Sequence, residues 1–313
     1  MTVRIGTKTL FLASALLAAT AAQAQQPQQQ QRSDFSKVEI KTIKLADNFY
    51  ALEGQGGTIS VLNGPDGVLL VDSQFAPLTE KLVAAIKAVS DKPIRFLVNT
   101  HVHGDHVGGN ENFAKLGAVI FARQQVRERL QHPLPAADGT PGKPAVAEAL
   151  PVVTYDDTVT IHLDGENVRL LPIRAAHTDG DTLVSFPEHD ILAVGDYFRS
   201  VGYPIVDLNN GGSLNGLLEA LRVTIERAGP NTRIIPGHGP IVGRDAVIAQ
   251  RDLLISYRDK VAVLVGQNKT LEEVLAAKIT APTDAQIPQS EQTAERFVKW
   301  LYAEVKAAKL KAS

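Results

Sequence analysis

No cysteine occurs in the 313 residues. That absence excludes disulfides, thiolate zinc sites, thiol nucleophiles and iron–sulfur clusters. Any chemistry must therefore rest on His, Asp, Glu, Ser, Lys, Tyr or a bound metal. No block of like charge is present either: 32 basic side chains face 34 acidic ones, a net charge of −2. Without a basic footprint, no DNA or RNA partner is expected. Nor does any apolar run reach the length of a comfortable membrane span. What remains, 44% hydrophobic and 21% charged, excludes a disordered or fibrous chain and suffices for a substantial core.

The N-terminus reads as an export signal. Arg4 and Lys8 precede an apolar run from Leu10 to Leu17, extended by Ala18, Ala19, Ala21 and Ala22. Ala22-Gln23-Ala24 supplies the small-x-small pattern of signal-peptidase sites, which predicts a signal peptide over 1–24 with cleavage after Ala24. A Gln-rich stretch follows and reads as a flexible leader over 25–36. With no Cys beyond the cleavage site, lipid attachment there is excluded. The expectation is a periplasmic or secreted protein of net charge −4, with no membrane association after cleavage.

Residues 37–313 read as one α/β domain with no linker and no internal repeat, ending in a helical extension from about 245. Strand patterns run over 43–52, 58–62 and 68–71, the last two joined by Gly64-Pro65-Asp66-Gly67. A helical period at Leu78, Leu82, Ala85, Ile86 and Val89 precedes the apolar strand 94–98. A second such strand, 118–122, leads into a helix over 124–130. Strands resume within 152–173, with a turn at Asp164-Gly165, and again over 182–186 and 191–194. Ser213 caps a helix over 214–227, and 233–236 is a short strand. Beyond Asp245 the chain is largely helical, with breaks at Pro282 and Pro288.

The chemistry lies in the histidines. After the strand 94–98 the chain reads Asn99-Thr100-His101-Val102-His103-Gly104-Asp105-His106. On an extended segment His101 and His103 project to one side, and Gly104 lets the backbone turn so that Asp105 and His106 follow. Four potential ligands within six residues suit a site for two divalent ions. His177, Asp196 and His238 each read as the first polar group after an apolar strand, flanked by glycine or a turn, which places them on loops at strand ends. Imidazoles and carboxylates without thiolate suit zinc, with iron or manganese also accommodated. Two cations lower the pKa of a shared water, so that hydroxide can attack an acyl carbonyl, while Asp105 orients or deprotonates the nucleophile. Asp72, after the strand 68–71, reads as a residue that holds a ligand ring by hydrogen bonding, or as a strand-end turn residue.

In order and spacing, His101-x-His103-x-Asp105-His106, His177, Asp196 and His238 resemble the ligand set of the metallo-β-lactamase-fold hydrolase superfamily. Asp72 matches that family's acidic residue after the hairpin. The resemblance spans about residues 40–245. It implies a four-layer αββα sandwich with metals at one edge, His101, His103 and His177 holding one zinc, Asp105, His106 and His238 the other, and Asp196 bridging.

Other polar residues are ambiguous. Tyr197, Arg199 and Tyr203 follow Asp196 closely and either line a pocket or pack in the core. Asn209-Asn210-Gly211-Gly212-Ser213 reads as an anion-receptive turn or as a helix cap. His162 is expected on the solvated face of a strand, His189 in an exposed turn, and His132 at the start of a Pro-rich loop.

Members of the resembled family hydrolyse β-lactams, lactones, thioesters and phosphodiesters, and some oxidise persulfides with one iron, so the fold does not choose the substrate. Asp196 stands where dedicated β-lactamases carry Cys or Ser and where lactonases and glyoxalase-II-like thioesterases carry Asp. The expected partner is a small-molecule acyl substrate (lactone, ester, thioester or β-lactam), with β-lactams turned over weakly. The alternatives are a metallo-β-lactamase proper, a mononuclear non-haem iron persulfide dioxygenase using His101, His177 and Asp196, and a non-catalytic binding protein. The last is disfavoured because no ligand is missing.

Overall fold

The computed structural model describes residues 34–135 and 138–312. The signal peptide expected over 1–24 and residues 25–33 of the expected leader lie outside that range. The last leader residues belong to the fold: Phe35 packs on Phe75 with ring centroids 5.2 Å apart, and Lys81 Nζ donates to the carbonyls of Phe35, Ser36 and Val38. No helix among the described residues is long and apolar enough to cross a membrane.

Seven strands form one sheet in sequence order: β1 (Lys41–Ala46), β2 (Phe49–Glu53), β3 (Ile59–Gly64), β4 (Gly67–Val71), β5 (Ile94–Val98), β6 (Val119–Arg123) and β7 (Val153–Tyr155). Pairing is antiparallel up to β4 and parallel from β4 to β7. The second sheet runs β12 (Arg233–Pro236), β11 (Ile191–Gly195), β10 (Thr182–Phe186), β9 (Glu166–Pro172) and β8 (Val159–Leu163), with only β11–β12 parallel.

Side-chain alternation explains why the central strands are apolar throughout. In β4, Leu69 and Val71 enter the layer between the sheets, against Val168, Leu170 and Phe186. Val68 and Leu70 enter the outer layer, against Leu82 and Ile86 of helix α1 (Thr79–Lys87). A strand covered on both faces cannot alternate with polar residues, and each such side chain contributes about 1.5–3 kcal/mol on burial. Short helices α2 (Gly104–Val107) and α3 (Asn110–Lys115) follow β5, and α4 (Gln124–Gln131) follows β6.

On the other side, α5 (Leu214–Arg227) begins where Ser213 Oγ accepts from Gly216 N. It lays Leu217, Ala220, Leu221, Thr224 and Ile225 inward, a stripe of helical spacing. Helices α6 (Arg244–Gly266), α7 (Leu271–Ala276), α8 (Ala281–Asp284) and α9 (Ser290–Ala312) complete that layer, with Tyr203 stacked on Phe297 at 4.9 Å. The result is helix, sheet, sheet, helix, the expected αββα sandwich.

Three local expectations change. Residues 43–52 form a hairpin rather than one strand: the polar pair Asp47-Asn48 turns the chain between β1 and β2. The stretch 152–173 switches sheets, β7 joining the first and β8 the second. His189 is not exposed; its Nδ1 pairs with Glu166 and its Nε2 lies 2.7 Å from Asn48 Oδ1, so it ties the two sheets together.

Candidate metal centre

Parallel pairing brings the functional loops to one edge. Strands β4 and β5 end there with Asp72 and His101, and β11 and β12 end there with Asp196 and His238. His177 arrives differently from the sequence reading: β9 stops at Pro172, and His177 sits in the loop that enters β10. Glycine lets these loops close on one another. A Cβ at Gly57 would overlap the His106 ring, and one at Gly237 would overlap Asp196 Oδ1.

Hydrogen bonds fix which nitrogen each ring presents. Asp72 accepts from Thr100 N at Oδ1 and from Thr100 Oγ1 at Oδ2, both at 2.7 Å. With its proton committed, Thr100 Oγ1 accepts from His101 Nδ1–H at 3.0 Å, leaving the His101 Nε2 lone pair free. Asp72 Oδ2 also accepts from His106 Nδ1–H at 2.8 Å, which frees His106 Nε2. His177 Nδ1–H donates to the Ile205 carbonyl at 2.9 Å, and His103 Nε2–H to Asp207 Oδ2 at 2.8 Å. The nitrogens left over, His103 Nδ1 and His177 Nε2, lie 2.9 Å apart, a separation two lone pairs tolerate only with a cation or a proton between them.

Among the described residues, three groups of side chains offer ligand atoms that lie within 4.8 Å of one another: His101, His103 and His177; His101, His106 and Asp196; and Asp105, His106 and His238. Asp105 Oδ2 stands 3.1 Å from His238 Nε2, and Asp196 Oδ2 3.4 Å from the same atom. His101 Nε2 is buried without a hydrogen-bond partner, and His106 Nε2 and Asp196 Oδ1, equally buried, face each other at 3.2 Å without hydrogen-bond geometry. Buried polar atoms in that state cost several kcal/mol unless something completes them. Metal cations shared between the overlapping groups fit this donor set.

The electrostatics agree. Burial pushes His101 well below the ordinary imidazole value and His177 down to about 4, so both rings are neutral and keep a lone pair at neutral pH. Burial opposes a charge on His106 and His238 too, but carboxylates outweigh it. Asp196 and Asp72 hold His106 well above its usual value, and Asp196 with Asp105 raises His238 to about 9. Asp196 stays ionised despite burial because His106 and His238 face it. The carboxylates here demand positive charge, from protons or from metal.

Asp207 is the site residue that the sequence reading missed. Its Oδ1 accepts from Asn209 N and Asn210 N, both at 3.1 Å, so the turn expected to receive an anion is filled by the chain's own carboxylate. Hydrogen bonds from His103 and Asn210 hold Asp207 well below the usual carboxylate range despite its burial. Two of the candidate pocket residues are corrected: Tyr197 and Tyr203 are buried in the helical core, where Tyr197 Oη pairs with Thr224 and Tyr203 Oη with Thr283 and Asp284. Arg199 does line a cavity, one of about 470 Å³ beside His238, Gln55 and Thr58. Its Nε donates to Val201 O, and its Nη groups have no protein partner among the described residues.

Asp181 fastens the turn that carries His177, accepting from Thr178 N at 2.9 Å and Thr178 Oγ1 at 2.6 Å. Burial pushes its carboxyl up to about 7 from an ordinary 3.8. A raised folded-state pKa means a contribution that is full below 3.8 and lost as the pH rises through 7. In metal-free protein, the stability of wild type relative to Asp181→Asn should therefore fall between about pH 4 and 7, by at most about 1.4 kcal/mol per unit. Urea unfolding of both proteins across that window measures it, and a difference independent of pH rejects it.

Residues 52–249 match the sequence model of the metallo-beta-lactamase superfamily. A metallo-beta-lactamase type 2 of Bacillus cereus is 24% identical over 197 residues, covering 62% of this chain and 71% of that protein. Among solved structures, a stereoselective inverting sec-alkylsulfatase from a Pseudomonas species superposes with a TM-score of 0.64 at 17% identity, over 84% of this chain and half of that one. A metallo-beta-lactamase from Pontibacter korlensis superposes with a TM-score of 0.57 at 19% identity, over 69% of this chain and 99% of that one.

Proposed function

The chain belongs to the metallo-beta-lactamase superfamily, and from that premise we propose that it is a dinuclear zinc hydrolase of small acyl compounds, lactones and activated esters ahead of β-lactams. The observation that carries the reading is the cluster of buried, inward-facing ligand atoms, His101 Nε2 without a hydrogen-bond partner and His106 Nε2 and Asp196 Oδ1 facing each other at 3.2 Å, around which three ligand groups overlap. His101, His103 and His177 would hold one ion, Asp105, His106 and His238 the other, and Asp196 would reach both. Bound there, two cations supply Lewis acidity and a water acidified toward neutral pH.

The protein's own groups do the rest. Asp105 is ionised and half-buried, placed to accept a proton from the attacking water and return it to the leaving group. Asp72 and Asp207 keep the rings in the tautomers that ligation requires. The free Nη groups of Arg199 suit a carboxylate or other anionic substituent, so a substrate with negative charge is preferred. An aspartate at 196, rather than a softer or vacant position, leaves less room to receive a lactam nitrogen than to release an alkoxide.

Metal analysis of protein grown in unbiased medium should return about two zinc ions per chain. One ion, or stoichiometric iron, would count against the dinuclear reading and for the persulfide dioxygenase. The zinc-loaded protein should turn over a p-nitrophenyl ester and an acyl lactone faster than a chromogenic cephalosporin. The alkylsulfatase likeness adds an alkyl sulfate to that panel. A cephalosporin or sulfate rate far above the others reverses the substrate order.

A further inference from the structure

Resting on the hydrolase reading, we infer that the substrate is an amphiphile whose medium-length apolar chain lies in a second cavity, walled by the loop after β11, the segment after β12, helix α6 and the turn before α9. That cavity, about 330 Å³, is lined by Phe198, Pro204, Val242, Leu253, Ile287 and Pro288. It adjoins the cavity beside His238: Arg199 and Pro240 line both. A molecule whose reacting carbonyl stands at His238 and Asp105 therefore has an apolar compartment next to it, across the Arg199 side chain. The guanidinium serves the anionic part and the methylene stem serves the chain.

Part of the compartment's wall lies outside the superfamily match. The superfamily match ends at residue 249, whereas Gln250, Leu253, Ile287 and Pro288 lie beyond it. The wall is fixed in place, since Gly202 N donates to Pro288 O at 2.6 Å and Ser200 Oγ to Pro240 O at 2.7 Å. Gln250 also lines the compartment. Leu253, Val242 and Ile287 remain only half-buried, apolar surface that a chain would cover.

The test is a series of p-nitrophenyl esters from acetyl to octanoyl with the zinc-loaded protein, compared with Ala249→Trp. Ala249 lines the compartment from an exposed position on α6, so the indole fills the space without entering the core. Burial is worth about fourfold per methylene, so kcat/KM should rise of order a hundredfold from butanoyl to octanoyl. Ala249→Trp should remove that rise and leave the acetyl ester unchanged. A flat series, or a rise that survives in Ala249→Trp, overturns the inference while the hydrolase reading stands. If no ester is turned over, the hydrolase reading fails, and calorimetry with octanoate and butanoate on the metal-free protein decides the compartment. Tighter octanoate binding that Ala249→Trp abolishes upholds it, and equal binding of the two acids rejects it.

Discussion

Asp105→Asn should lower kcat by about 10²–10⁴-fold on any ester the wild-type protein hydrolyses, with circular dichroism and thermal unfolding little changed. The substitution is nearly isosteric, and the backbone bond that fastens this residue, Gly57 N to Asp105 O at 3.1 Å, survives it. What disappears is charge. Burial works against ionisation of Asp105, yet His238 at 3.1 Å and His106 at 3.7 Å keep its carboxyl below the ordinary value. It is therefore an acceptor at neutral pH. Asparagine cannot take a proton and is a poor metal ligand, so both the acid–base step and the group formed with His106 and His238 suffer together. The variant should also carry less than the wild-type complement of zinc. Activity within tenfold of wild type would sink the role assigned to Asp105.

What could be read from sequence divides along physical lines. Strands β5, β10 and β12 and helix α5 fall where periodicity places them, because each is a short apolar run or a capped amphipathic stripe with its signals inside its own segment. The hairpin at Asp47-Asn48 and the change of sheet after β7 are marked in the sequence only by short polar breaks, Asp47-Asn48 and Asp156-Asp157-Thr158, and such breaks do not say which sheet the next strand joins. The histidine motif stands out in the sequence because its residues are contiguous. Asp72 reads as a support for one ring, whereas the structure shows it serving two, through Thr100 to His101 and directly to His106. Tyr197 and Tyr203 follow Asp196 closely, but a chain leaving β11 turns into the helical core, so proximity in sequence says nothing of the face they reach. Asp207 carries no local mark at all. Its importance comes from a ring 104 positions away, which no spacing rule connects.

That distant pairing makes Asp207 the most exposed part of the candidate centre, and Asp207→Ala should weaken zinc binding about 10–100-fold. His103 has to present Nδ1 to the ion, which demands that the proton sit on Nε2. The only acceptor found there among the described residues is Asp207 Oδ2 at 2.8 Å. The carboxylate is itself held in place: Asn210 Nδ2 donates to Oδ2 at 2.7 Å, and Arg129 Nη1 donates to Asn210 Oδ1 at 3.0 Å. Arg129 is locked in turn by a two-pronged contact with Asp179. Alanine leaves His103 free to change tautomer and to turn away, whereas Asp207→Asn still offers an oxygen to Nε2–H and should retain most of the affinity. Arg129→Met, which loosens Asn210 without touching the ring, should fall between the two. Competition with a chromophoric zinc chelator reads all three variants without any substrate, so the result does not depend on which ester is hydrolysed. A merely structural role would lower thermal stability in the order of lost contacts and leave the zinc affinities of the folded proteins equal. Equal affinities for wild type and Asp207→Ala would reject the positioning role, because a ring that needs no acceptor on Nε2 owes nothing to Asp207.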